Sequence, residues 1–323
     1  MRRCMKKLSR KTKIVRVMII LIITIIIGVL AFAGKRFLAT DNSYQVIDET
    51  GNYLIVKPNY GEYKVTQLAS VTGEQAMIYI ISDWRGHLII VDGGWSEDAE
   101  QLQEIITAFG NKVDVWILTH PHPDHIGAFN EIYEKGTIEI DSIYAIPMDY
   151  SMYKERAQWW DGFEVYERFL DLTSSAENVE YVIEGDQIDL FGLNMKILHS
   201  FDKDEMKTDG DICNNGGMIF KLSAKENSML FLADVGGEAR ASTLLDKYGD
   251  VLKSDYVQMG HHGNGGMTEE VYRVINPKAA FFDAPQSLMD NEELDAARKQ
   301  TLMEDIGADI LYYATAPNSV TLK

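Results

Sequence analysis

The run Leu118-Thr119-His120-Pro121-His122-Pro123-Asp124-His125-Ile126-Gly127 places three imidazoles and a carboxylate within six positions. Neutral imidazole and carboxylate are preferred ligands of zinc and similar divalent ions, and four of them on one short loop can serve two ions at once. A chain built around that run has to fold so that distant loops converge on it. The histidine count agrees, since of seven histidines only His87 lies outside a stretch that reads as part of such a site.

The pattern leading into the run is strand, helix, strand. Met77–Ile81 and His87–Val91 are apolar, β-rich runs around the turn residues 82–86, which predicts a hairpin ended by Asp92-Gly93-Gly94. From Glu97 to Phe109 the apolar residues Ala99, Leu102, Ile105, Ile106 and Phe109 recur at helical spacing, with Gly110-Asn111 as the stop. Val113–Leu118 then reads as a short buried strand with the histidine loop at its carboxyl end, where α/β sheets bind ligands. Further strands are expected at 143–146, 179–182, 188–190, 195–198, 218–222, 229–232, 271–275, 279–282 and a last one at 310–313. Helices are expected near 153–172, 239–248 and 292–306. Strands with helices between them indicate a layered α/β domain.

His120 and His122 alternate in direction and can reach one ion, while Asp124 and His125, beyond Pro123, can turn toward a second. Two strand ends supply the missing groups. Asp234 follows Met229–Leu232 and could bridge both ions; His261, after Tyr256–Gln258, could complete the second. His262, beside it, is a candidate proton donor or loop-positioning group. Asp92 is expected to orient a ligand rather than to be one.

The N-terminus carries a separate message. Residues 1–36 hold ten of the chain's 31 bases and no acid, leaving 21 bases against 49 acids, about −28, for the remainder. Between the basic clusters lie seventeen uncharged residues, 17–33, rich in isoleucine. As a helix they would rise about 25 Å, adequate for a bilayer core once Arg16 and Lys35 snorkel. Eight bases before the segment and two after it predict a cytoplasmic N-terminus and an exterior C-terminal domain. The competing reading is a signal peptide cleaved near Ala31-Phe32-Ala33, giving a secreted protein. The expected organisation is a basic cytoplasmic segment 1–16, an anchor 17–33, a linker or irregular first hairpin 34–62, and a catalytic domain 63–323. Cys4 and Cys213 would then lie on opposite sides of the membrane, so no disulfide is expected.

The order Asp-Gly-Gly, His-x-His-x-Asp-His, Asp, His-His-Gly resembles the metallo-β-lactamase superfamily over residues 63–285. More narrowly, Asn214-Asn215, Phe231-Leu232-Ala233-Asp234 and Gly260-His261-His262-Gly263 resemble the hydrolase domain of the DNA-uptake channel protein ComEC and its free-standing relatives. The resemblance implies an αββα sandwich with a one- or two-metal site at the edge where two sheets meet, zinc by ligand type with manganese as the alternative. Two departures stand out. The usual third histidine of the first ion has no clear counterpart, and His199 and Asn214 compete for that place, with Cys213 behind them. The glycine-rich turn usual before the second strand of that subgroup is replaced by Gly73-Glu74-Gln75-Ala76.

Tyr150, Tyr153, Trp159, Trp160, Phe163, Tyr166 and Phe169 crowd twenty residues. Helical spacing puts Trp159, Phe163, Tyr166 and Phe169 on one packing stripe and leaves Trp160 and Tyr153 for substrate contact. The charge of about −28 weighs against long nucleic acid, which is held by neutralising phosphates. The expected function is a membrane-anchored, exterior-facing hydrolase of a small phosphodiester or other ester, using a metal-activated hydroxide. The alternatives are a surface nuclease for DNA processing or uptake and a non-catalytic, metal-stabilised binding module. No protein partner is inferable.

Overall fold

The computed structural model describes residues 45–47, 53–313 and 317–323; the expected anchor 17–33, the basic segment before it and much of the linker lie outside them. Among the described residues no helix is long and apolar enough to cross a membrane. In the linker, β1 (Gln45–Ile47) and β2 (Tyr53–Val56) pair antiparallel as a hairpin.

Two seven-stranded sheets follow. The first holds β3 (Tyr63–Gln67), β4 (Ile78–Asp83), β5 (Leu88–Asp92), β6 (Lys112–Ile117), β7 (Glu139–Ala145) and β8 (Val179–Tyr181), with β16 (Asn318–Leu322) beside β3. The second runs β9 (Gln187–Leu190), β10 (Leu193–His199), β11 (Ile219–Ser223), β12 (Ser228–Phe231), β13 (Tyr256–Gln258), β14 (Ala279–Phe282) and β15 (Asp309–Tyr312), adjacent in chain order. Each sheet is antiparallel in one half and parallel in the other: β5 to β8 and β12 to β15 are the parallel halves.

Strand alternation explains the layers. In β12, Met229 and Phe231 join the core between the sheets, where Phe231 stacks on Phe220 and meets the edge of Tyr79 at 5.1 Å. Leu230 and Leu232 point the other way, into a second core with Ala241, Leu244, Val271, Tyr272, Leu302 and Met303 from covering helices. Those helices are α6 (Glu238–Tyr248), α7 (Glu269–Ile275) and α9 (Asp295–Ile306). On the first sheet, α1 (Ala99–Ala108), α2 (Pro123–Lys135) and α4 (Phe163–Thr173) play the same part. Shorter helices α3 (Tyr150–Arg156), α5 (Ile212–Asn215) and α8 (Gln286–Met289) lie in the loops. Helices thus cover the outer face of each sheet.

Three expectations need correction. Val271–Ile275, expected as a strand, belongs to α7, because a five-residue apolar run has no period long enough to separate the two states. Glu269 and Glu270 in its first turn and left-handed Asn276 at its end are the helix signals that decide it. The single aromatic helix 153–172 is two, α3 and α4, interrupted where Gly162 takes a left-handed conformation (φ 58°). Trp159 therefore leaves the packing stripe and is 89% exposed, while Tyr153, expected at the substrate, is fully buried against Phe163 and Tyr166. Finally, β15 is not the last strand, since β16 returns to the edge of the first sheet.

Candidate metal centre

The histidine loop leaves β6 extended and becomes helical at Pro123. Proline suits the first helical position because its missing N–H would be unpaired there anyway. His122 thus stays on extended backbone with His120 before it in the loop, whereas Asp124 and His125 sit in the first turn of α2. Asp124 there also meets the positive end of the helix dipole. Gly127 lets α2 approach the Gly94–Ser96 loop: a β-carbon on it would come within 2.6 Å of the Ser96 nitrogen.

Asp92, at the end of β5, is buried and fully engaged. One oxygen accepts from the Thr119 backbone N–H (2.7 Å); the other accepts from the Thr119 hydroxyl (2.6 Å) and lies 2.7 Å from His125 Nδ1. That contact turns the other ring nitrogen, His125 Nε2, inward, as a carboxylate behind a metal-binding imidazole does.

Asp234 is the meeting point. Its carboxylate lies 3.4 Å from His125 Nε2, 3.1 Å from His262 Nε2, 3.8 Å from His261 Nε2 and 4.0 Å from His120 Nε2. His262 Nε2 is also 3.1 Å from Asp124 Oδ2, and His120 Nε2 is 3.1 Å from His122 Nδ1. Two donors on one tetrahedral zinc are separated by about 3.3 Å, given bonds of about 2.0–2.1 Å. Two overlapping groups have ligand spacing: His120, His125 and Asp234, and Asp124, His125 and His262.

The adjacent histidines are placed differently in the site. His261 and His262 both have left-handed backbone, with φ of 51° and 57°, so consecutive side chains diverge. His262 is driven fully inside, while His261 stays at the rim with 38% of its side chain exposed. Such conformations are costly for non-glycine residues and cluster at functional sites. Asp92 (φ 53°) and Ala233 (φ 47°), next to Asp234, share them here.

The two candidates for the third ligand have different surroundings. His199 Nε2 faces the carbonyl of Asn215 at 2.8 Å and so is turned to that backbone. Asn214 donates through Nδ2 to Asp211 (2.8 Å), which leaves its Oδ1 buried without a partner. Its helix α5 is tied to the histidine loop by Met218 N–H donating to the Thr119 carbonyl, and Gly217 packs near His120. Cys213 is buried behind His122 with Tyr153, and burial pushes its thiol pKa up. Sequence reasoning missed Asp161, which contacts the histidine loop: its Oδ1 is 3.2 Å from His122 Nε2. Its only local signal was an Asp-Gly pair between aromatic segments.

The buried acids and imidazoles shift one another's protonation. Burial alone would raise the acids, yet the imidazoles of His125 and His262 hold Asp124 and Asp234 well below the usual carboxylate range. Burial opposes charge on His125 too, but Asp234, Asp92 and Asp124 outweigh it and push its pKa up to about 9. His120 goes the other way: burial, aided by nearby His125, keeps it neutral. Among the described residues, five of the nine buried side-chain polar atoms without a hydrogen-bond partner lie here, namely His125 Nε2, Asp234 Oδ1, Asn214 Oδ1 and both nitrogens of His262. Buried polar atoms left unpaired are costly, and a divalent ion would satisfy most of these. The residues fit a metal.

Comparison with known proteins agrees with this geometry. Residues 71–199 match the sequence model described as the metallo-beta-lactamase superfamily. Among solved structures, the chain resembles the metallo-beta-lactamase fold protein YhfI from Bacillus subtilis at 11% identity and a TM-score of 0.51, covering 81% of this chain and 99% of that one. It resembles CmlA, a diiron beta-hydroxylase from Streptomyces venezuelae, at 12% identity and a TM-score of 0.52, over 80% of this chain and 54% of that one. A diphosphatase from the PhnP family aligns at 12% identity and a TM-score of 0.45, over 81% and 98%. At these identities the likeness is one of fold. No curated protein matches the sequence significantly.

Proposed function

We propose that this chain, which matches the metallo-β-lactamase superfamily over residues 71–199, is a metal-dependent hydrolase that cleaves a small phosphodiester or other small ester. In this reading residues 17–33 anchor it and the catalytic domain faces the exterior; the support is the excess of bases before that segment. Within the superfamily, Asn214-Asn215 and the Gly260–Gly263 turn support a place among the free-standing relatives of the ComEC domain.

The observation that carries the proposal is the convergence of Asp124 and Asp234 on His262 Nε2, each at 3.1 Å. Structural zinc sites are closed by four Cys or His ligands, whereas a site that keeps two acids among its donors has the make-up of a catalytic one. His120, His122, Asp234 and the Asn214 oxygen would hold one ion; Asp124, His125, His262 and Asp234 would hold the second. Imidazole with carboxylate suits zinc, and the oxygen share suits manganese as the alternative. Bound there, such ions polarise a phosphoryl or acyl oxygen and acidify water.

The protein's own groups do the rest. Asp92 and Asp161 fix the ring orientations of His125 and His122. His261, at the rim and within 3.8 Å of Asp234, is placed to hand a proton to a leaving group. Trp160, 52% exposed one residue before Asp161, would stack on an apolar or planar part of the substrate. The net charge of about −28 outside residues 1–36 favours a small substrate over a long polyanion.

The test is hydrolysis of bis-nitrophenyl phosphate by the metal-loaded protein, with and without chelator. Chelator-sensitive turnover is expected, with little competition from single-stranded DNA. Turnover that persists after complete metal removal would sink the proposal, and strong inhibition by the DNA would turn it toward a nuclease.

A further inference from the structure

A buried polar cluster outside the ligand set spans the seam between the two sheets. Gln67 and Tyr79 come from the first sheet, Gln258 ends β13, and Asp283 follows β14; none of the four is accessible to solvent. Asp283 Oδ1 accepts from the Tyr79 hydroxyl (2.6 Å) and from Gln67 Nε2 (2.7 Å), and Oδ2 accepts from Gln258 Nε2 (3.0 Å).

Neither amide is free to flip. Gln258 Oε1 accepts from the backbone N–H groups of Leu232 (2.9 Å) and Ala233 (2.8 Å), and Gln67 Oε1 accepts from Asn318 Nδ2 (2.9 Å). The two amides are therefore fixed as donors to Asp283, and with the Tyr79 hydroxyl they give its carboxylate three donors. Among the described residues, no Lys or Arg forms an ion pair with it, and the imidazole that acts on it is His262. Burial pushes the acid up to about 6, against the pull of His262 and the three donors.

Gln258 connects this charge to the metal centre. Its Oε1 holds the N–H groups just before Asp234, and its Nε2 donates to the carbonyl of Met259 (2.7 Å), just before the Gly260–Gly263 turn. One amide thus ties both ligand loops to one buried anion.

We propose that Asp283 is a positioning residue for the second ion: through Gln258 it holds Asp234 and His262 in register, and its negative charge offsets part of the charge of a cation bound between them. This rests on the reading of Asp124, His125, His262 and Asp234 as metal ligands. An uncompensated anion in a dry core is otherwise unfavourable, and a cation in the adjacent site is the partner it lacks.

The experiment is zinc competition against a chromophoric chelator, using the metal-stripped full-length chain in detergent, for the wild type, Asp283→Asn and Tyr79→Phe, with circular dichroism on each. Wild type is expected to bind two zinc ions. Asp283→Asn should weaken one of them about tenfold or more, the size seen when a group behind a ligand is lost, and weaken the other clearly less, through the shared Asp234 alone. Tyr79→Phe keeps the charge but removes one donor, so its zinc affinity should be near wild type at pH 8 and fall more steeply toward pH 6. Equal weakening of both ions in Asp283→Asn, or no weakening in a folded variant, overturns the proposal. If Asp283→Asn does not fold, the Tyr79→Phe series decides, and a pH dependence parallel to wild type overturns it. A wild type that binds no zinc overturns the metal reading itself, and the proposal with it.

Discussion

His262 Nε2 stands 3.1 Å from Asp234 Oδ2, inside the protein, while its neighbour His261 reaches the same oxygen from the rim at 3.8 Å. The paired left-handed backbone of the turn separates the two rings, so the two residues should fail differently when removed.

His262→Ala should lose one equivalent of bound metal and at least about 10²-fold in turnover, because a ligand goes. His261→Ala should keep its metal and lose about 10²-fold in turnover, the usual worth of a proton-transferring side chain. Metal content by elemental analysis alongside kcat separates the cases. Loss of metal in His261→Ala with full occupancy in His262→Ala would reverse the assignment.

Asp161→Asn should weaken metal binding or activity by about 10- to 100-fold although Asp161 is not itself a ligand. The reason is its 3.2 Å contact with His122 Nε2, the nitrogen facing away from His120. A variant with unchanged metal affinity and kcat/KM would show that this contact does not orient the ring.

Trp160→Ala and Trp159→Ala should raise KM by about tenfold for esters with aromatic leaving groups, since base or ring stacking on one side chain is worth about 1–3 kcal/mol. Metal content and kcat should hold, because both rings project from the loop surface. Equal KM values for aromatic and small aliphatic esters in wild type would count against a stacking role.

Asp283 contributes one separable part of the metal-free protein's pH dependence. Its folded pKa of about 6 lies above the ordinary 3.8, so the folded form binds the proton more tightly than the unfolded chain. Its stabilising contribution is complete below pH 3.8 and is lost as pH rises through 6, about 3 kcal/mol in all. Denaturant titrations from pH 4 to 7 should show wild type losing stability relative to Asp283→Asn across that window. A constant difference would mean that Asp283 does not titrate there.

Much of this was legible because it is local. The hairpin before Asp92, the helix over 99–108 and the strand ending at the histidine loop each announced themselves through periodicity within a dozen residues. What escaped was decided by single conformations: Gly162 splitting the aromatic helix, and Asn276 closing a helix where a strand was expected. Asp161 and Asp283 escaped because nothing within a few residues of either marks a partner that sits on another loop or sheet.

The density of imidazole and carboxylate at 120–125 by itself determined that this chain handles a divalent ion, since ligand chemistry is a property of side chains and their spacing. Which of His261 and His262 points inward, that His199 turns to the Asn215 carbonyl, and that Asp161 joins Asp92 behind the histidine loop were decided only by tertiary structure. Those choices depend on left-handed turns and on hydrogen bonds between residues distant in the chain, and their energies exist only once the two sheets have packed.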